Sequence, residues 1–125
     1  LQQEKPRDYV IATGKQYTVR QFIMWAADYI GVELKFSGAG LNEVGTVIKI
    51  KGKRAPGIKL GQEIIKVDSK YFRPTEVDLL LGNASKAKRL LRWKSSTPFK
   101  TLVNEMMEYD LKLAVKNVNA IVQKA

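Results

Sequence analysis

The chain has 125 residues, 45% of them hydrophobic and 27% charged, with a net charge of +10. That size and balance fit one small globular domain with a modest core, and argue against disorder. With no cysteine and no histidine, a disulfide framework, a thiolate metal site and imidazole acid–base catalysis are excluded.

The opening run Leu1-Gln2-Gln3-Glu4-Lys5 is polar and offers no secretory leader. It does not begin with Met, so the chain reads as an excised or processed piece of something longer. Tyr9-Val10-Ile11-Ala12 is apolar and partly β-branched, and reads as a buried strand ended by Thr13-Gly14. Thr18-Val19-Arg20-Gln21 is a capping box that opens a helix. Val19, Phe22, Ile23, Ala26, Ala27 and Ile30 follow at helical spacing, and Gly31 closes the helix in the left-handed region. Val32 to Phe36 reads as a strand, and Ser37-Gly38-Ala39-Gly40 as a turn. Two glycines without a GxGxxG or Walker pattern are explained by turn chemistry rather than by a phosphate cradle. Gly45 to Lys51 and Glu63 to Val67 read as two more strands. They are joined by a basic loop, Gly52 to Gln62, expected to be mobile.

Asp68 to Pro74 is a turn-rich connector, and Pro74 is placed to open a short helical turn running to Leu81. Its aromatic pair, Tyr71-Phe72, is read as core or as a flank for a flat ligand. Gly82-Asn83 stops that turn and caps a helix from Ala84 to Leu91, with Trp93 packing behind it as an anchor. Thr97 caps the last helix, with Pro98 in its first turn. Phe99, Leu102, Val103, Met106, Met107 and Leu111 form its apolar face. That helix is expected to end near residue 115, with 116–125 as a tail that prolongs it or frays. The pattern is that of a small α+β lobe: short strands with about three helices.

An excess of 22 Lys and Arg over 12 Asp and Glu attracts polyanions: nucleic acid, anionic lipid or phosphorylated small molecules. A solvated surface explains it equally well. The densest clusters, Lys49 to Arg54 and Lys86 to Lys94, lack the interleaved aromatics of a single-strand platform. No nucleic-acid motif is present, and no apolar run reaches the ~20 residues of a membrane span. The expectation is therefore no specific nucleic acid, no membrane and a cytoplasmic setting.

Three stretches carry a resemblance. Asp8 to Gly14 with Tyr17 to Phe22 is a strand–loop–helix entry; Gly40-Leu41-Asn42-Glu43-Val44-Gly45 is an acidic turn between glycines; Val67 to Gly82 contains Tyr71-Phe72-Arg73-Pro74-Thr75-Glu76. In this order they resemble the C-terminal part of extended short-chain dehydrogenase/reductases, specifically GDP-mannose 4,6-dehydratases. The third stretch matches nearly residue for residue and continues with Lys86-Ala87 and Leu90 to Lys94. The resemblance spans about residues 8 to 112.

The resemblance implies the C-terminal portion of a Rossmann-type α/β enzyme. Residues 1–7 would end a helix of a missing dinucleotide-binding domain, 8–115 would form the GDP-binding lobe, and 116–125 the tail. It implies NADP as the parent's cofactor, held by the missing N-terminal lobe, and GDP-mannose or GDP as this portion's ligand. The parent would be a lyase that converts GDP-mannose to GDP-4-keto-6-deoxy-mannose in deoxysugar biosynthesis, and a homo-oligomer. Neither the glycine-rich cofactor turn nor a Tyr-x-x-x-Lys pair is present. Tyr9, Tyr17, Tyr29, Tyr71 and Tyr109 are followed four residues on by Thr13, Gln21, Glu33, Thr75 and Leu113. No catalytic, cofactor-binding or metal-binding residue is therefore expected in this chain, which alone should be inactive.

With that resemblance, Arg73 is assigned to the diphosphate and Glu76 to a ribose hydroxyl, facing one shared cleft. A guanidinium offers a planar fork to phosphate oxygens, and a carboxylate accepts from a diol. An ion pair between the two at a helix start is the plainer alternative. Tyr71, Arg20, Asn42 and Glu43 are further candidates for the same cleft; each has an ordinary reading as core, solvated surface or turn. The competing functions are a basic nucleic-acid-binding module and an assembly module. Apolar faces left uncovered on the first strand and last helix are expected to promote self-association.

Overall fold

The computed structural model describes residues 3–73 and 80–122, with side chains to residue 119. Among the described residues, three helices accompany one antiparallel sheet: α1 (Val19–Tyr29), β1 (Val32–Ser37), β2 (Val44–Ile50), β3 (Glu63–Lys66), α2 (Ser85–Leu91) and α3 (Phe99–Val122). A 3₁₀ turn, Gly40–Asn42, sits between β1 and β2. The strand order is β1-β2-β3. α1 packs against β1, and α3 packs against α1. This is the α+β arrangement the sequence predicts.

Local signals explain the helix ends. Thr18 Oγ1 accepts a hydrogen bond from Gln21 N–H at 3.1 Å, a cap worth about 1 kcal/mol. At the other end Gly31 has φ +79°, and its carbonyl accepts from Lys51 N–H at 2.6 Å. That bond ties the exit of α1 to the end of β2. α1 then lays its apolar side over the sheet. Ala27, Val32, Leu34 and Val47 are buried together, flanked by Ile23, Ile30, Phe36, Ile50, Ile64 and Ile65. Val103 of α3 is fully buried. Around the start of α3, the Tyr17 and Phe99 rings stack at 4.8 Å, and Trp25 meets Tyr17 edge-on at 5.2 Å.

The basic loop between β2 and β3 carries anchors. Arg54 donates to Tyr29 O at 3.1 Å and lies over the Tyr29 ring, 4.9 Å from its centroid. A cation at the carbonyl end of α1 is also favoured by the helix dipole. Ala55 and Ile58 pack against the core.

Several expectations are corrected. Tyr9 to Ala12 forms no strand, and Val10 and Ile11 are 53% and 58% exposed. A strand requires a neighbour for its backbone, and no described strand pairs with this segment. It packs instead on the approach to α2. A Cβ at Gly82 would lie 2.5 Å from Ala12 Cβ, and Lys86 Nζ donates to Asp8 O at 2.7 Å. Residues 3–7, read as a helix end, form no helix. The helical turn expected from Pro74 falls on residues 74–79, outside the described ones, while Leu80 and Leu81 are exposed.

α2 begins at Ser85, one residue late, with Asn83 Oδ1 accepting from Ser85 N–H at 3.0 Å. Arg92 at φ 52° closes it, and Trp93 behind it is half-buried. α3 runs past residue 115 to Val122, so the tail prolongs it rather than fraying there; no glycine or proline interrupts residues 99–122. Its buried side is Phe99, Val103, Met107 and Leu111, whereas Leu102 and Met106 are exposed. Those two join Tyr109 and Leu113 in an outward apolar strip. Lys112 donates to Glu108 on the same helix at 2.6 Å, which lowers the Glu108 carboxyl and raises the Lys112 ammonium from their ordinary values. Both are fully exposed, so the pair does little for stability.

Candidate functional site

An open groove of about 720 Å³ runs between the start of α1, the edge of the sheet and the connector after β3. Ile23, Phe36, Ile65 and Val67 give it an apolar floor. Arg20, Glu43, Lys66 and Arg73 bring charge to its walls. Tyr71 and Phe72 stand at its edge, 73% and 40% exposed. The aromatic pair is thus not core, because the Asp68–Tyr71 turn carries it outward. In that turn Tyr71 N–H donates to Asp68 O at 3.1 Å, and Lys70 N–H to Asp68 Oδ1 at 2.9 Å.

Each wall has a local cause. The cap at Thr18 fixes the first turn of α1 and so places Arg20 at the groove. Gly38, at φ +82°, allows the turn that delivers Glu43; a Cβ there would lie 2.1 Å from Asn42 O. Glu43 N–H donates to Gly40 O at 3.2 Å, closing the 3₁₀ turn. Gly40 takes a positive φ of +56° in the same turn. Gly45 keeps the floor shallow, because a Cβ there would meet Ile65 Cβ at 2.9 Å and Phe36 Cε1 at 3.1 Å.

Arg20 donates to Glu43 Oε1, forming an ion pair between residues 23 positions apart. The Arg20 guanidinium also lies 5.4 Å from the Phe36 ring centroid. Arg73 lines the same groove and is exposed. Asn42 sits in the 3₁₀ turn next to Glu43 and is itself exposed, with its carbonyl packed near Gly38. Glu76 lies outside the described residues. Of the sequence candidates, then, Arg20, Glu43, Tyr71 and Arg73 share one groove, with Asn42 adjoining it.

Phe36 and Lys66 are among the lining residues that the sequence does not single out. Phe36 falls in step with Val32 and Leu34, which marks it as core, and only the register beside Gly45 turns it toward the groove. Lys66 is the last residue of β3, opposite Val44; one more basic residue in a basic chain carries no signal. Lys66 pairs with Glu63 at 3.0 Å, so three basic side chains face two carboxylates; that surplus of one cation, over an apolar floor with aromatics at the rim, suits a flat anionic ligand. Among the described residues, no cluster of His, Cys, Asp or Glu could hold a metal ion. No described helix is long and apolar enough to cross a membrane.

Residues 1–106 match the sequence model of a family described as GDP-mannose 4,6 dehydratase. The chain is 48% identical over 117 residues to a GDP-mannose 4,6-dehydratase of Vibrio cholerae, covering 94% of this chain and 32% of that protein. It is 44% identical over 117 residues to a GDP-mannose 4,6 dehydratase of Dictyostelium discoideum, covering 94% and 30%. To a GDP-mannose 4,6 dehydratase of Cricetulus griseus it is 40% identical over 120 residues, covering 96% and 30%. The chain spans about a third of the length of the curated relatives it matches.

Proposed function

The chain belongs to the GDP-mannose 4,6-dehydratase family, and from that premise we propose that its groove holds the GDP end of a nucleotide-sugar. One observation carries the reading. The three stretches that resemble the family lie far apart in sequence yet converge on this groove, through Thr18 to Arg20, Glu43, and Val67 with Tyr71 to Arg73. A packing role alone would not bring two arginines and two exposed aromatics to one opening.

In this reading Arg73 offers its guanidinium fork to the diphosphate. Tyr71 or Phe72 flanks the base, and Glu76 accepts from the ribose. Binding at this remote end holds the mannose ring for chemistry done elsewhere in the parent enzyme. The parent would be an NADP-dependent lyase that oxidises the sugar, eliminates water and returns the hydride. Its product would be GDP-4-keto-6-deoxy-mannose. It would be a cytoplasmic homo-oligomer whose N-terminal lobe completes the cleft.

The residues present do not fit NADP. The described strands are all antiparallel, without the parallel strand–glycine turn–helix unit that cradles a pyrophosphate. The sequence also lacks a Tyr-x-x-x-Lys pair. This chain is therefore expected to bind nucleotide without turning over NADP.

Titration of the chain with GDP, GDP-mannose and guanosine, followed by NMR, tests the reading. GDP should bind more tightly than guanosine and weaken with added salt. The resonances of Arg20, Glu43 and Tyr71 to Arg73 should shift. Shifts that map away from the groove, or equal binding of random oligonucleotides, would refute it.

A further inference from the structure

We infer that Glu43 is a positioning residue for Arg20, and that together they make Arg20 a second diphosphate ligand facing the groove that Arg73 also lines. The inference rests on the reading of the groove as a nucleotide site.

Free arginine side chains on a surface lose rotamer freedom when they bind. Arg20 has already lost much of it. Its guanidinium is held by Glu43 Oε1 and lies against the Phe36 ring. Glu43 is itself fixed, with its side chain only 22% exposed. Its backbone is closed onto Gly40, at the end of a turn that requires glycine at position 38. The route from backbone to guanidinium is therefore short: the Gly38 turn sets Glu43, and Glu43 sets the plane of Arg20.

The pair leaves donors over. A guanidinium has five N–H groups, and the bond to Glu43 is made through one nitrogen, Nη2. The remaining donors can meet phosphate oxygens while the pair stays closed. The charge balance agrees: Arg20 pairs with Glu43 and Lys66 with Glu63 at 3.0 Å, and Arg73 adds a further cation to the groove wall, so the local field still favours an anion. A monophosphate can satisfy one guanidinium, whereas a diphosphate can engage two. The pair would then act as a selector for diphosphate.

A double-mutant cycle with two probes tests this. GDP and inorganic pyrophosphate are titrated against the wild-type chain, Arg20→Ala, Glu43→Ala, Glu43→Gln and the Arg20→Ala/Glu43→Ala double variant, with thermal unfolding as a check on folding. Arg20→Ala should weaken both probes about tenfold and Glu43→Ala about fivefold. The double variant should be no weaker than Arg20→Ala alone, which is the signature of one residue acting through the other. Glu43→Gln should keep most of the affinity, since its amide oxygen still accepts from Arg20. Glu43→Ala binding as tightly as wild type or tighter, additive losses, or no pyrophosphate binding by the wild-type chain would each overturn the inference. Pyrophosphate binding with the expected cycle but no gain from the guanosine moiety would leave the pair standing and remove the nucleotide reading instead.

Discussion

Arg73→Ala will lower the affinity of the chain for GDP by between about tenfold and a hundredfold, while leaving its unfolding temperature unchanged. A charged, two-pronged hydrogen bond to phosphate is worth roughly 1.5–3 kcal/mol, and each 1.4 kcal/mol is about a factor of ten. Arg73 is exposed on the groove wall, so its removal strips no buried contact. Arg73→Lys keeps the charge but loses the planar fork, and should recover only part of the loss. Guanosine, which has no phosphate, should bind wild type and variant alike. Calorimetry at low salt measures all of these. Equal loss for GDP and guanosine would mean that Arg73 shapes the groove rather than holding phosphate, and no loss would remove Arg73 from the site.

Gly31→Ala will destabilise the chain by about 3 kcal/mol or more, a large share of what holds a small domain together. Two costs add. A residue with a Cβ in the left-handed region gives up roughly 1–2 kcal/mol. The new Cβ would also lie 1.9 Å from the Lys51 carbonyl oxygen, so the backbone must part and the Gly31–Lys51 hydrogen bond of 2.6 Å is lost. An internal control separates the two. Gly14 and Gly52 have φ +73° and +79°, yet nothing lies within 4 Å of a Cβ at either. Gly14→Ala and Gly52→Ala should therefore show only the first cost. Urea unfolding of the three variants decides the matter; equal losses would show that the close approach to Lys51 contributes nothing.

What could be read from the sequence, and what could not, divides along the range of the forces involved. α1 was legible because its signals are local: a hydroxyl cap at Thr18, a helical stripe and a glycine at its end. β1 to β3 were legible because each alternates or clusters β-branched residues between turn signals. The segment Tyr9 to Ala12 misled because β-branched residues mark a willingness to be a strand, while the strand itself depends on a partner elsewhere. At the end of α3, Leu111, Val115, Val118 and Val122 continue the helical spacing, and the tail prolongs the helix, one of the two outcomes the pattern allows. At the groove, motif reading named Arg20, Glu43, Tyr71 and Arg73 one by one. Their convergence is tertiary information, and so is the pairing of Arg20 with Glu43 across 23 positions. The outward turn of Tyr71 and Phe72 depends on the Asp68 hydrogen bonds, which composition does not reveal.

The sheet has two outer strands, and both are guarded. β1 carries an irregularity in register between Glu33 and Leu34 and points Glu33 and Lys35 outward. β3 is four residues long with a charge at each end, Glu63 and Lys66. Neither presents the long, flat, uncharged backbone rim onto which further copies could stack as an amyloid ladder. Crowded copies of this chain would instead meet through side chains, at places such as the Leu102, Met106, Tyr109 and Leu113 strip. Contacts of that kind do not template a growing fibre as a flat strand edge does.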